Sequence, residues 1–92
     1  MKIKEMIKEG APIIDVRTPD EFRGGHVDGS INIPMQEFVA RIEEVNAFSR
    51  PLILCCASGG RSGQVTSYLN ARGDKEVYNG GGWLEVNALK NG

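Results

Sequence analysis

Residues 51–62 have the sequence PLILCCASGGRS, in which an apolar run passes into a turn of small residues and then a charged one. The run at 51–55 lacks the polar alternation of a half-exposed strand, so it predicts a strand buried on both faces, as in parallel sheets. The small residues allow a tight turn, and we expect a helix to begin near Arg61. Ligands of open α/β sheets bind beyond the carboxyl ends of strands, so this turn is the candidate functional site.

Strand and helix patterns alternate on the amino-terminal side of this stretch. Helical spacing of apolar residues predicts a helix over 3–7 that Gly10 ends. An apolar run predicts a buried strand at 12–16, and a shorter one follows at 31–33. Between these strands, Thr18 begins a capping box that predicts a short helix ending at 24–25. One long helix is expected next, with a single apolar face formed by Met35, Phe38, Val39, Ile42 and Val45.

The carboxyl-terminal side continues the alternation. The helix after the turn is expected to end at Gly73 and to share one face among Val65, Tyr68, Leu69 and Arg72. A strand at 76–78, a sharp turn at 80–82 and a last helix at 83–89 follow. Apolar strands alternating with helices predict an α/β fold. We expect a small parallel sheet flanked by helices on both faces, formed by residues 1–92 as a single domain.

The charge balance and the short apolar runs argue against two classes of partner. Eleven Lys and Arg residues against twelve Asp and Glu give a net charge of −1, so no broad basic surface for nucleic acid is expected. The longest apolar run has about five residues against the ~20 of a membrane-spanning helix, so no membrane partner is expected. The charged amino terminus lacks a signal-peptide core, which predicts a cytoplasmic protein, or a periplasmic one if a leader has been removed.

The only two cysteines, Cys55 and Cys56, are adjacent in sequence. Neighbouring cysteines seldom pair with each other, and no second pair offers a disulfide framework. With one histidine and no C-x-x-C spacing, the sequence predicts no structural zinc site. Successive strand residues point to opposite faces, so Cys55 is expected to pack in the core or at its flank.

The turn places a nucleophile beside an anion receptor. Backbone N–H groups at 57–60 can point into one concavity, and the following helix adds its positive end. Arg61 supplies a planar cation that matches oxyanions. Cys56 is expected at the lip of this cup. The same donors favour its thiolate, so we expect the thiol to be largely ionised at pH 7.

Two segments of the sequence together resemble the signature of a rhodanese domain. The first has IIDVR at 13–17, EF at 21–22 and GHVDGSINIP at 25–34. The second has the cysteine turn at 56–62 and NGGGW at 79–83. The resemblance extends over nearly the whole chain and is strongest to the single-domain thiosulfate sulfurtransferases of bacteria. It implies a small parallel sheet flanked by helices, and a cysteine that carries sulfur as a persulfide. The implied mechanism needs neither a metal nor an organic cofactor.

By this resemblance, Cys56 is the catalytic residue, and the loop around it binds substrate through Ala57, Ser58, Gly59, Gly60, Arg61 and Ser62. Asp15 and Arg17 match supporting positions, and His26 matches a structural one. Sulfur would move from thiosulfate, or another persulfide donor, to cyanide or a thiol, with a thiol carrier protein among the acceptors. Unlike some members, the loop has no charge besides Arg61. The short amino terminus predicts that the family's first edge strand is reduced or missing.

Two alternatives remain open. Counted from Cys55, the turn has the C-x5-R-S spacing of cysteine phosphatases and some arsenate reductases, which also bind tetrahedral anions. The glycine positions fit better from Cys56, and Leu54 stands where tyrosine phosphatases usually have histidine. The other alternative is a non-catalytic rhodanese-like binding module, although inactive members usually lack the cysteine.

Overall fold

The computed structural model describes residues 2–92, and a parallel four-stranded sheet lies at its centre. The strands, in the spatial order β2-β1-β3-β4, are β1 (Ile13–Asp15), β2 (Ile31–Asn32), β3 (Leu52–Cys56) and β4 (Val77–Gly82). β3 has a neighbour on each side and all of its residues are buried, as the apolar run predicts. In residues 2–12 no strand precedes β1.

Helices cover both faces of the sheet, as predicted. They are α1 (Ile3–Lys8), α2 (Pro19–Arg23), α3 (Ile42–Ala47), α4 (Gly60–Ala71) and α5 (Trp83–Asn91), with a 3₁₀ turn at Met35–Glu37. The side chains of β3 alternate between two cores. Leu54 and Cys56 pack with residues of α3 and α4, whereas Ile53 and Cys55 pack with residues of α1 and α5. Within residues 2–92, the helices are too short or too polar for any of them to cross a membrane.

The capping box predicted at the start of α2 is confirmed. The Thr18 hydroxyl accepts a hydrogen bond from the Glu21 amide at 3.2 Å, and the Glu21 carboxylate accepts one from the Thr18 amide at 3.1 Å. Pro19 occupies the first helical position, where its missing N–H breaks no helical hydrogen bond. The box holds the Glu21 carboxylate in place close to the side chain of Arg61.

The single long helix predicted over 35–45 is wrong. The chain forms the 3₁₀ turn Met35–Glu37, then a bend, and only then α3. Phe38 is buried in the core, whereas Val39 is 62% exposed. Arg41 lies at the bend and forms ion pairs with an acidic residue on each side of it. Ion pairs therefore connect the 3₁₀ turn and α3, which the apolar spacing predicts to be a single helix.

Of the four residues expected to share one face of α4, Val65 and Leu69 are buried and the other two are exposed. Tyr68 and Arg72 are exposed, and the Arg72 guanidinium donates a hydrogen bond to the Tyr68 hydroxyl at 3.0 Å. The inward positions are Ser62, Val65, Thr66 and Leu69. The Thr66 hydroxyl donates to the Ser62 carbonyl oxygen at 2.8 Å, so its burial leaves no polar group unpaired. An apolar pattern cannot reveal polar residues that are satisfied inside the fold.

The sharp turn predicted at 80–82 is also wrong, because these glycines form the second half of β4. The strand stays beside β3 through an irregularity in register at Leu54 and Cys55. At Gly80, a Cβ atom would lie 2.8 Å from the Cγ2 atoms of both Ile53 and Val86. Gly80 is therefore needed for the close approach of the strand to its neighbours.

Candidate active site

The turn between β3 and α4 surrounds the end of β3 with backbone donors. α4 begins at Gly60, next to the expected start, so the turn consists of 57–59. Gly59 precedes the helix with φ +104°, in the left-handed region that favours glycine. A Cβ atom at Gly59 would lie 3.2 Å from the Cα of Gly81, so β4 packs directly against the turn.

This turn encloses the Cys56 sulfur. The Sγ atom accepts hydrogen bonds from the Gly59 amide at 3.0 Å, the Ser62 amide at 3.5 Å and the Ser62 hydroxyl at 3.3 Å. Cys56 is only 1% exposed, so the expectation that it lies at the lip of the cup is wrong and the sulfur lies at the bottom. The residues of the turn region that face solvent are Ala57, Ser58 and Gly60.

The donors make Cys56 more acidic than an ordinary thiol. Burial, the largest influence, raises the pKa of the Cys56 thiol. Hydrogen bonds from the Ser62 hydroxyl and amide, and from the Ser58 and Gly59 amides, outweigh burial and lower the pKa from 9.0 to about 7. Roughly half of the Cys56 thiol is then ionised at pH 7, less than the sequence alone predicts. A thiolate held by fixed donors is a nucleophile at neutral pH.

Cys55 points into the opposite core and is fully buried, as expected. Burial, followed by the negative charge of Asp15, raises the pKa of the Cys55 thiol to about 12. The thiol is therefore protonated at neutral pH. The alternative that counts C-x5-R from Cys55 needs a thiolate at this position, and the environment disfavours one.

Arg61 is engaged by a carboxylate from another helix. Its Nη1 and Nη2 atoms donate to the two carboxylate oxygens of Glu21 at 2.8 and 3.0 Å. The hydrogen bond from Arg61, followed by one from the Thr18 amide, lowers the pKa of the Glu21 carboxyl to about 2. The carboxylate therefore compensates much of the Arg61 charge at neutral pH. The sequence does not predict this partner, because Glu21 stands out in it only as the acidic residue of a capping box.

Asn79, to which the sequence analysis assigns no role, links β4 to the turn. Its Nδ2 donates to the Gly59 carbonyl oxygen at 3.0 Å. Its Oδ1 accepts from the Gly81 amide at 3.0 Å and from the Ser62 hydroxyl at 2.7 Å. Asn79 therefore contacts two of the residues that surround the Cys56 sulfur. In the sequence, Asn79 stands out only as the first residue of the NGGGW segment at 79–83.

Asp15 and Arg17 form a buried ion pair at the end of β1. The Arg17 Nε and Nη2 atoms donate to the Asp15 carboxylate at 2.7 to 3.0 Å, and Nη2 also donates to the Gly25 carbonyl oxygen at 2.7 Å. The guanidinium lies over the Trp83 ring, 4.9 Å from its centroid. In the sheet, Asp15 pairs with Cys55 of β3. The ion pair therefore joins β1, the segment after α2 and the start of α5 beside the strand that carries Cys56.

His26 lies on the surface and makes local contacts. Its ring stacks on Phe22 with the centroids 3.8 Å apart, and its Nδ1 lies 2.8 Å from the Phe22 carbonyl oxygen. Across residues 2–92, no group of three or more His, Cys, Asp or Glu side chains is placed to hold a metal ion.

Comparison with known proteins gives four relevant similarities. The family model "Rhodanese-like domain" matches residues 2–89. The chain is 41% identical over 69 residues to the uncharacterised protein YqhL of Bacillus subtilis (strain 168), and this alignment covers 75% of this chain and 54% of YqhL. It is 35% identical over 74 residues to thiosulfate sulfurtransferase PspE of Escherichia coli (strain K12), and this alignment covers 79% of this chain and 71% of PspE. A solved rhodanese with anions from E. coli superimposes with a TM-score of 0.73 at 34% identity, covering 83% of this chain and 91% of that one.

Proposed function

Because the chain belongs to the family of rhodanese-like domains, which includes sulfurtransferases, we propose that it transfers sulfur through a persulfide on Cys56. The observation that carries this proposal is the set of donors at the Cys56 sulfur, two amides and a hydroxyl within 3.5 Å. They stabilise a sulfur anion at the carboxyl end of β3, where ligands of such sheets bind.

In the first half-reaction, the Cys56 thiolate attacks the outer sulfur of a donor such as thiosulfate. A bond forms between Sγ and that sulfur, the S–S bond of thiosulfate breaks, and its electron pair leaves with sulfite. The Gly59 and Ser62 amides hold Sγ in place during the attack. Such fixed donors need no reorganisation at the moment of reaction, and one donor contributes about 3 kcal/mol in well-studied oxyanion holes.

In the second half-reaction, cyanide or the thiolate of an acceptor attacks the outer sulfur of the persulfide. The bond to Sγ breaks, its electron pair returns to Cys56 as the thiolate, and the acceptor leaves as thiocyanate or as a persulfide. The transferred sulfur moves as a neutral atom from one nucleophile to the next, so the cycle needs no external oxidant or reductant. A small-molecule thiol or a thiol carrier protein fits the acceptor role.

The burial of Cys56 restricts the shape of the donor. Since this residue is 1% exposed, the donor has to present its transferable sulfur at a slim end, as thiosulfate and small persulfides do. Arg61 would bind the departing sulfite, although the Glu21 carboxylate competes for the same N–H groups. The similar rhodanese that was solved with anions supports an anionic donor.

The other site residues act by holding the turn. The backbone of Ala57, Ser58, Gly59 and Gly60 forms the cup, and Ser62 adds its hydroxyl. Asp15 and Arg17 have a supporting role, because their ion pair fixes the end of β1 beside β3. None of these residues has to change its charge during the proposed cycle.

Two other functions have less support. A phosphatase that uses Cys55 would need a thiolate where burial raises the pKa to about 12. A non-catalytic binding module would have no need for the donors that lower the pKa of Cys56 to about 7.

Steady-state transfer of sulfur from thiosulfate to cyanide tests the proposal. We expect thiocyanate to form with ping-pong kinetics, because the persulfide is made before the acceptor reacts. Cys56→Ser should be inactive, whereas Cys55→Ser, the matched control at the neighbouring position, should keep most of the activity. Hydrolysis of p-nitrophenyl phosphate with no thiocyanate formation would contradict the proposal and favour the phosphatase.

A further inference from the structure

The Ser62 hydroxyl has one proton and two acceptors within reach. Its Oγ lies 3.3 Å from the Cys56 Sγ and 2.7 Å from the Asn79 Oδ1. A hydroxyl donates one hydrogen bond, so it serves either the sulfur or the amide oxygen at any moment. The two acceptors therefore compete.

The orientation of the Asn79 amide is fixed by the backbone. Its Nδ2 faces the Gly59 carbonyl oxygen at 3.0 Å, and its Oδ1 faces the Gly81 N–H at 3.0 Å. The opposite orientation would place oxygen against oxygen and N–H against N–H. Towards Ser62, Asn79 can therefore only accept. When the hydroxyl turns to the sulfur, two oxygen atoms 2.7 Å apart have no proton between them, which is unfavourable.

We infer that Asn79 is a positioning residue, which competes with the Cys56 sulfur for the Ser62 hydroxyl and so limits how strongly that hydroxyl stabilises the thiolate. While Cys56 is a neutral thiol, Ser62 donates to Asn79. When the thiol loses its proton to solvent, the hydroxyl turns towards the charged sulfur, and Asn79 loses its partner.

The same competition has a consequence for the persulfide, and this step rests on the proposed function. In a persulfide, Sγ is bonded to a second sulfur and the negative charge lies on that outer atom. Sγ then accepts hydrogen bonds weakly, so the Ser62 hydroxyl returns to Asn79. Asn79 therefore favours the sulfur-loaded form over the free thiolate.

Charged groups also face the Cys56 region, from several elements. They are Glu21 on α2, Arg61 on α4, Asp15 on β1, Arg17 just after β1, and Glu85 on α5, whose carboxylate lies close to Gly82. The first four form two ion pairs with closest contacts of 2.7 and 2.8 Å, so each of these four charges has its compensation beside it. Asn79 is uncharged and contacts none of them through a hydrogen bond within residues 2–92. Its replacement therefore tests the hydrogen bonds and leaves the charges in place.

Alkylation of Cys56 by iodoacetamide between pH 5 and 9 tests the inference without any sulfur donor. In Asn79→Ala, the freed hydroxyl should lower the pKa of Cys56 by about half to one unit, the worth of one hydrogen bond. If Asn79 only held the turn in place, its replacement would raise the pKa of Cys56, because a loosened turn would weaken the amide donors. The Gly59 carbonyl oxygen keeps the Gly63 amide as a partner at 2.9 Å, which favours folding of the variant.

A double-variant comparison separates the hydroxyl from every other effect of Asn79. Ser62→Ala should raise the pKa of Cys56, and adding Asn79→Ala to it should change nothing further. Asn79→Leu, which keeps the side-chain volume, replaces Asn79→Ala if that variant does not fold. A rise or no change in the single variant, or a further shift in the double one, would overturn the inference. Because no sulfur is transferred in this experiment, its outcome is independent of the proposed function.

Discussion

Glu21 and Arg61, 40 residues apart in sequence, are joined by two hydrogen bonds of 2.8 and 3.0 Å between the carboxylate and the guanidinium. One residue belongs to the capping box of α2, and the other lies in the first turn of α4, directly after the cysteine turn. The contact thus places a negative charge beside Arg61, the only charged residue in the segment 56–62.

Glu21→Gln should therefore improve the use of thiosulfate. The amide can still accept the hydrogen bond from Thr18 but no longer neutralises Arg61. We expect the KM for thiosulfate to fall roughly two- to fivefold with little change in kcat, as for the loss of one partly exposed ion pair. Steady-state kinetics at low ionic strength measure this effect, since salt would screen it. A rise in KM would show instead that Glu21 is needed to aim Arg61.

Arg61→Ala should have the opposite effect on the same constant. The KM for thiosulfate should rise, because the departing sulfite loses its cation and the Glu21 carboxylate is left uncompensated near the site. Adding Glu21→Gln to Arg61→Ala should recover part of the loss, since it removes that carboxylate. If kcat and KM were both unchanged in Arg61→Ala, the backbone donors alone would bind the anion.

The reactivity of the two cysteines should depend on pH in different ways. The pKa of Cys56 is lowered to about 7, so its alkylation rate should rise from pH 5, pass its midpoint near pH 7 and level off above pH 8. Cys55, whose pKa is raised to about 12, should react slowly up to pH 9. Each thiol is followed alone, Cys56 in Cys55→Ser and Cys55 in Cys56→Ser. A midpoint for Cys56 near the ordinary value of 9.0 would show that the turn does not activate it.

Gly80→Ala should destabilise the protein. Its Cβ atom would lie 2.8 Å from side-chain atoms of Ile53 and Val86, so the overpacked core should lose about 1–3 kcal/mol of unfolding free energy. Gly60→Ala is the matched control, because nothing lies within 4 Å of the added atom. Its unfolding free energy should change by less than about 0.5 kcal/mol. Urea denaturation measures both, and equal stability of the two variants would refute the packing role of Gly80.

The sequence could predict those parts of the fold that depend on residues close together in the chain. The buried strand at the centre follows from an uninterrupted apolar run, and the start of α2 follows from the Thr18 capping box, whose partners are three residues apart. The glycines at 80–82 could not be interpreted in this way, because the reason for Gly80 lies in Ile53 and Val86. A glycine required by a close approach looks the same in sequence as a glycine required by a turn.

In the candidate site, too, the sequence predicts the features with local causes and misses those that depend on distant residues. The donors from Gly59 and Ser62 follow from a turn of small residues at a helix start, and the sequence places both in the loop around Cys56. The partners of those residues come from distant segments. Glu21 and Asn79 reach the site through the packing of α2 and β4 against α4, and no spacing within the loop can indicate them.

Intact mass after treatment with thiosulfate measures directly whether Cys56 forms a persulfide. We expect the wild-type protein and Cys55→Ser each to gain the mass of one sulfur atom and to lose it again on addition of cyanide. Cys56→Ser should gain nothing. No gain in the wild-type protein, or a gain that persists in Cys56→Ser, would rule out transfer of sulfur through a persulfide on Cys56.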